Sequence, residues 1–192
     1  MKIGITLTSS LEVGQEYIEL TENVARSIAA RGYGIVYGGT DYGMMHTLGH
    51  AYTAAGGQEL IGVMAKDLMA VTKGYVAYDK LNTSYLEETM EDRKRKIVSE
   101  SDAFVILPGG YGTFEEIGSI VGGKVNKLYD KPIAIINYGG YYDKLITFLS
   151  EMQDKQFSKI APSEVVYVCE TIKQALEHFQ AYETHELKDK FV

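Results

Sequence analysis

Short, mostly apolar runs alternate with longer amphipathic stretches along nearly all of this chain, and that alternation restricts the possible folds most. Residues 3–7, 34–37, 60–64, 103–107, 132–136 and 165–169 are strand-like. Residues 17–30, 44–55, 86–99, 113–127, 141–153 and 170–182 carry helical periodicity. Gly32 closes the first helix and Gly56-Gly57 the second, as expected of helix C-termini. The stretch 65–85 is less regular and is expected to hold a loop and one further strand. Strands that are apolar throughout, rather than alternating, suit a parallel sheet covered on both faces. With helices between them they predict an α/β, doubly wound, Rossmann-like domain with right-handed crossovers. At 192 residues the expectation is one domain over 1–182, followed by a charged end, 183–192, expected to be mobile.

In such a sheet the loops after the strands build the ligand site. The richest of them is Leu107-Pro108-Gly109-Gly110-Tyr111-Gly112-Thr113-Phe114-Glu115-Glu116, between an apolar strand and a helix. Glycines at a helix N-terminus leave backbone N–H groups open to an anion, and the helix dipole favours negative charge there. The two glutamates place carboxylates beside that site. A structural reading stands next to this one. Thr113 and Glu116 have capping-box spacing, in which each side chain satisfies a backbone N–H. A second glycine-rich turn, Gly38-Gly39-Thr40-Asp41-Tyr42-Gly43, also lies between strand and helix, and Ser9 follows the first strand. Each could face a ligand, and each could be a turn or cap. Neither glycine-rich loop fits the dinucleotide or P-loop patterns.

In the helix predicted over 86–99, Leu86, Met90 and Ile97 form an apolar stripe, and Arg93 falls within it. A buried arginine needs a partner, either a structural carboxylate or a ligand. Lys94, Arg95 and Lys96 read as a solvated face. His46 and His50 share a helix face but lack the zincin pattern, so no metal is expected. The single cysteine, Cys169, excludes an internal disulfide and reads as a buried strand thiol. A net charge of −7 argues against a general nucleic-acid or membrane surface. No stretch is apolar for long enough to span a bilayer, and a cytoplasmic location is the expectation.

Together these residues resemble the Lonely Guy family, long labelled possible lysine decarboxylases. Its P-G-G-x-G-T-x-x-E hallmark matches Pro108 to Glu116 without substitution, and its upstream Met-x-x-Arg-Lys element matches Met90, Arg93 and Lys94. Ser101-Asp102-Ala103, the Tyr-Gly-Gly turn at 37–39, Gly43, Asp130-Lys131-Pro132 and Gly139-Gly140-Tyr141-Tyr142 match as well, so the similarity covers about residues 2–160. The resemblance implies hydrolysis of the N-glycosidic bond of a purine (cytokinin-type) nucleoside 5′-monophosphate to free base and ribose 5-phosphate. It implies no cofactor, a homodimer, and Arg93 with Glu116 as the catalytic pair. It assigns Gly109, Gly110, Gly112 and Thr113 to the phosphate; Ser9, Gly38, Gly39, Met90 and Lys94 are further expected to bind substrate or phosphate. The chain departs from the family pattern at Leu7-Thr8-Ser9, where Cys-Gly-Ser is usual, and at Met44-Met45-His46 after Gly43. It departs again at Gly123 and Val125, where a tryptophan and a glutamine usually help form the base pocket and dimer face. A different functional class, a non-catalytic carrier of a phosphorylated nucleotide or pterin, would use the same fold. Amino-acid decarboxylation fits poorly, because no lysine sits in a recognisable pyridoxal phosphate motif.

Overall fold

The computed structural model describes residues 1–188. Its centre is one seven-stranded, all-parallel sheet in the order β4-β3-β2-β1-β5-β6-β7. The strands are β1 (Lys2–Thr6), β2 (Gly34–Tyr37), β3 (Leu60–Ala65), β4 (Thr83–Glu87), β5 (Ala103–Ile106), β6 (Ile133–Ile136) and β7 (Tyr167–Cys169). The helices are α1 (Gln15–Ala30), α2 (Gly43–Ala54), α3 (Lys66–Val71), α4 (Met90–Glu100), α5 (Tyr111–Val125), α6 (Asp143–Asp154), α7 (Pro162–Val165) and α8 (Ile172–Gln180).

The central strands β1, β2, β3, β5 and β6 are buried along almost their whole length, which is why they read as apolar runs. Two hydrophobic clusters cover the sheet. One joins Leu20, Val24 and Ile28 of α1, Leu48 and Tyr52 of α2 and Leu176 of α8 to one face. The other joins Ile97 of α4 and Ile117 and Ile120 of α5 to Val36, Val63, Phe104 and Ile106 on the opposite face. The chain winds outward from β1 to β4, then crosses back to β5 on the other side of β1. That reversal, between β1 and β5, is the switch point where open α/β sheets bind ligands.

Several boundaries differ from the sequence expectation. The helix predicted over 86–99 begins at Met90, with Thr89 as its N-cap, accepting from the Asp92 N–H at 3.1 Å. Leu86 lies instead in the edge strand β4, opposite Met64, and is half exposed. It therefore shares no stripe with Met90 and Ile97. Arg93 and Ile97, one turn apart, are the buried residues of α4. The strand expected over 165–169 is shorter, because Pro162 opens a helical turn that runs through Val165. Residues 183–188 are held against the body. Leu187 is buried, and the His185 N–H donates to Asp130 at 3.0 Å. Residues 189–192 of the expected mobile end lie outside the described residues.

Candidate active site

At the switch point, the carboxyl ends of β1, β2, β3 and β5 and the N-terminus of α5 surround a cleft of about 600 Å³. Arg93 and Glu116 meet on its floor. Arg93 reaches in from α4, and its Nε donates to the Val63 carbonyl at 2.9 Å. Its Nη1 donates to Glu116 Oε1 at 3.1 Å. The arginine side chain is 5% exposed and the glutamate 19%. A charge that deep is tolerable only with partners of this kind. The other carboxylate oxygen, Oε2, accepts from the Thr6 hydroxyl at the end of β1. Both oxygens of Glu116 are thereby held, and the carboxylate faces a space large enough for a nucleotide.

The capping-box reading fails on this geometry. The N-cap of α5 is Gly110, which offers no side-chain cap, and Glu116 is turned away to Thr6 and Arg93. Thr113 is 3% exposed and its Oγ1 has no hydrogen-bond partner among the described residues. That hydroxyl is shielded on the Gly109 side, and what the start of this fifteen-residue helix offers an anion is its free N–H groups. The glycines around it have separate roles. A Cβ on Gly109 would come within 2.1 Å of Thr113 Oγ1, so Gly109 makes room for the threonine. A Cβ on Gly110 or Gly112 would meet nothing within 4 Å, so both face open space. Two tyrosines pin the loop from outside. Tyr141 donates to the Gly109 carbonyl at 2.7 Å and Tyr142 to the Leu107 carbonyl at 2.8 Å.

Of the residues expected at the site, Ser9, Met90, Arg93, Gly110, Gly112, Thr113 and Glu116 line the cleft. Gly109 lies behind Thr113. Gly38 and Gly39 are not among the lining residues and are set by packing. A Cβ on Gly38 would sit 2.6 Å from Arg93 Nη2, and Gly39, at φ +73°, passes against Gly62 where a Cβ would come within 2.5 Å of its Cα. Lys94 turns aside to ion pairs with Glu115 at 2.5 Å and Glu91 at 2.9 Å, and those partners raise its pKa. Asp41 does not line the cleft; it pairs with His46 Nδ1 at 2.5 Å.

Sequence reasoning missed Thr6 and the segment after α3. The signal for Thr6 was a polar residue closing an otherwise apolar strand. Residues 72–75 form one wall of the cleft. Hydrogen bonds from Asp41 N–H to the Val76 carbonyl, 2.8 Å, and from Tyr78 N–H to the Gly39 carbonyl, 2.9 Å, tie this segment to the loop after β2. Tyr75 lies against Arg93. Burial raises its phenol above the ordinary value, and the guanidinium opposes the rise.

The family described as possible lysine decarboxylase matches residues 45–179. The chain belongs to this family, the Lonely Guy group. Among its curated members, a probable cytokinin riboside 5′-monophosphate phosphoribohydrolase of Oryza sativa subsp. japonica is 29% identical over 94% of this chain and 71% of that one. A cytokinin riboside 5′-monophosphate phosphoribohydrolase of Arabidopsis thaliana is 29% identical over 86% of this chain and 71% of its own length. Among solved structures, the molybdenum cofactor carrier protein of Chlamydomonas reinhardtii superposes with a TM-score of 0.69 at 18% identity, over 94% of this chain and 98% of that one. The molybdenum cofactor binding protein of Rippkaea orientalis gives 0.68 at 17%, over 94% and 95%. At those identities the likeness concerns the fold alone.

Proposed function

We propose that this family member hydrolyses the N-glycosidic bond of a nucleoside 5′-monophosphate, releasing the free base and ribose 5-phosphate. The observation that carries this reading is the disposition of Glu116. It is a carboxylate withheld from helix capping and fixed by Thr6 and Arg93 one turn beyond an open helix N-terminus. With the phosphate against Gly110, Gly112 and Thr113, the ribose reaches the floor where Glu116 stands. The C1′–N bond breaks with its electron pair leaving on the base nitrogen, which takes up a proton. Water supplies the new C1′ oxygen. A carboxylate there stabilises the oxocarbenium character of the ribose and accepts the water's proton. Arg93 keeps the carboxylate oriented, and binding of the remote phosphate positions the reacting carbon.

The names of the curated relatives support the same chemistry on cytokinin riboside monophosphates. We leave the base unassigned, since Gly123 and Val125 depart from the family pattern. Gly123 is buried against this chain's own Tyr129, whose hydroxyl a Cβ would approach to 2.5 Å. The Arg93–Glu116 pair favours turnover over a carrier role. We also propose a two-fold homodimer through α5, supported by its outward Tyr111, Phe114, Gly118 and Gly122. The direct test of the hydrolase is to incubate the protein with AMP, other nucleoside monophosphates and adenosine, and to measure free base. Release from a monophosphate and little from adenosine is the expected result. Equal rates would remove the phosphate site from the mechanism, and no release from any monophosphate would refute the hydrolase.

A further inference from the structure

We infer that Thr6 is a positioning residue for Glu116, a role that rests on the hydrolase reading above. Thr6 closes β1 at the switch point and is 4% exposed, so its side chain is locked by the sheet. Its hydroxyl donates to Glu116 Oε2 while Arg93 Nη1 holds Oε1. On the side away from the cleft, Glu116 borders a hollow of about 20 Å³, room for one water, lined mostly by apolar groups such as Ile5, Ile97 and Phe104. The charged groups around it are Arg93 and Lys94 of α4 and its neighbour Glu115, which Lys94 already engages. Arg93 alone fixes one oxygen and leaves the carboxylate free to turn about that contact. The Thr6 bond removes this freedom and keeps the group aimed at the cleft. Catalytic geometry tolerates little drift, because misplacement by about 1 Å is enough to cost 10²-fold in rate.

The test uses Thr6→Val, Thr6→Ser, Glu116→Ala and the Thr6→Val/Glu116→Ala double variant. Valine keeps the β-branched shape a strand favours and removes the hydroxyl, and water from the cleft can reach the vacated oxygen, so the fold is expected to survive. With AMP as substrate, Thr6→Val is expected to lose about 10-fold in kcat with KM changed little. Thr6→Ser is expected to recover most of that loss. Thr6→Val is expected to cost nothing further once Glu116 is alanine. Urea-unfolding midpoints of the wild type, Thr6→Val, Glu116→Ala and the double variant read the contact without turnover; the Thr6 and Glu116 losses are expected not to add. Full kcat in Thr6→Val would overturn the proposal. So would a loss that persists undiminished in the Glu116→Ala background, since that marks a general structural role. A wild type inert toward every monophosphate, with unfolding midpoints that still couple, would refute the hydrolase and the catalytic role of Thr6 with it, leaving only the contact. A wild type that turns over while the variants behave independently would overturn Thr6 alone.

Discussion

Gly38→Ala perturbs the site from behind, through the placement of Arg93. Gly38 follows β2 and is fully enclosed, and its φ lies outside the left-handed region, so alanine brings no backbone strain. The new Cβ would lie 2.6 Å from Arg93 Nη2 and 2.8 Å from Met45 Sδ. Ordinary contact starts at 3.4 Å, so the guanidinium must retreat by about 0.8 Å and the sulfur by about 0.6 Å. The thioether is the end of a flexible chain and yields cheaply. The guanidinium is pinned by Nε to Val63 and by Nη1 to Glu116, and a retreat of that size breaks or lengthens one of the two bonds. The expected cost in stability is about 1–3 kcal/mol, a fall in Tm of roughly 2–10 °C for a chain of this size. The expected cost in kcat for AMP is on the order of 10- to 100-fold, because the oriented carboxylate is lost with the arginine. Gly39→Ala is the matched control. There φ is +73° and the clash is with backbone at 2.5 Å, so the fold should suffer more than the turnover of whatever remains folded. Adenine release and thermal melts of the three proteins decide the matter. A Gly38→Ala protein with lowered Tm and unchanged kcat would show that the placement of Arg93 is irrelevant to the reaction.

The remaining expectations concern the site pair, the buried thiol and the assembly. Glu116→Ala should lower kcat by about 10²-fold or more with AMP binding better preserved; a fully active variant that melts earlier would make Glu116 structural. Arg93→Lys should also fall, because one ammonium cannot serve Val63 and Glu116 as the planar fork does, and an unimpaired lysine variant would reduce Arg93 to a general charge. Burial pushes the Cys169 thiol up to about 11, so alkylation of the native protein at pH 8 should be slow and become fast only on unfolding. The folded state holds that proton more tightly than the unfolded one. Its contribution to stability is therefore complete below about pH 9 and lost as pH rises toward 11, a slope that Cys169→Ala should remove from urea-unfolding curves. Light scattering at micromolar concentration should give twice 21.3 kDa, and Gly122→Leu should yield a folded monomer if α5 forms the dimer face. A wild-type mass near 21.3 kDa would exclude the stable dimer.

The parallel sheet was legible because its central strands are buried on both faces, and burial on both faces writes an unbroken apolar run into the sequence. The edge strand β4 was legible only as one further strand within 65–85 and not by its bounds, since only Tyr85 and Glu87 of Thr83–Glu87 are even partly covered. Its residues blended into the acidic approach to α4, and Leu86 was read one element too late. Arg93 was rightly expected to be buried, but for an incomplete reason. Its neighbours are the Val63 carbonyl and the space left by Gly38, contacts between elements far apart in the chain that helical periodicity cannot show. Thr113 and Glu116 presented the opposite problem. Capping-box spacing is a local signal, and it failed because the helix starts earlier, with Gly110 as N-cap, and because Arg93 and Thr6, 110 residues away, hold Glu116 instead.

The glycines show how one residue type can serve two purposes within a single motif. Gly110 and Gly112 border open space, so their missing side chains leave backbone N–H groups reachable from the cleft. Gly38, Gly39 and Gly109 border protein, and their missing side chains admit Arg93, the Gly62 backbone and Thr113 respectively. The first two glycines are suited to meet a ligand, Gly38 and Gly109 shape the residues that would, and Gly39 lets the loop after β2 pass against β3. Substitution should separate the classes. Alanine at Gly110 or Gly112 should weaken AMP binding at little cost to the fold, whereas alanine at Gly109 must displace a buried threonine. Parallel measurement of AMP affinity and Tm across the five alanine variants tests this division. Equal thermal losses at all five positions would mean that the loop after β5 is a packed turn and not an anion site.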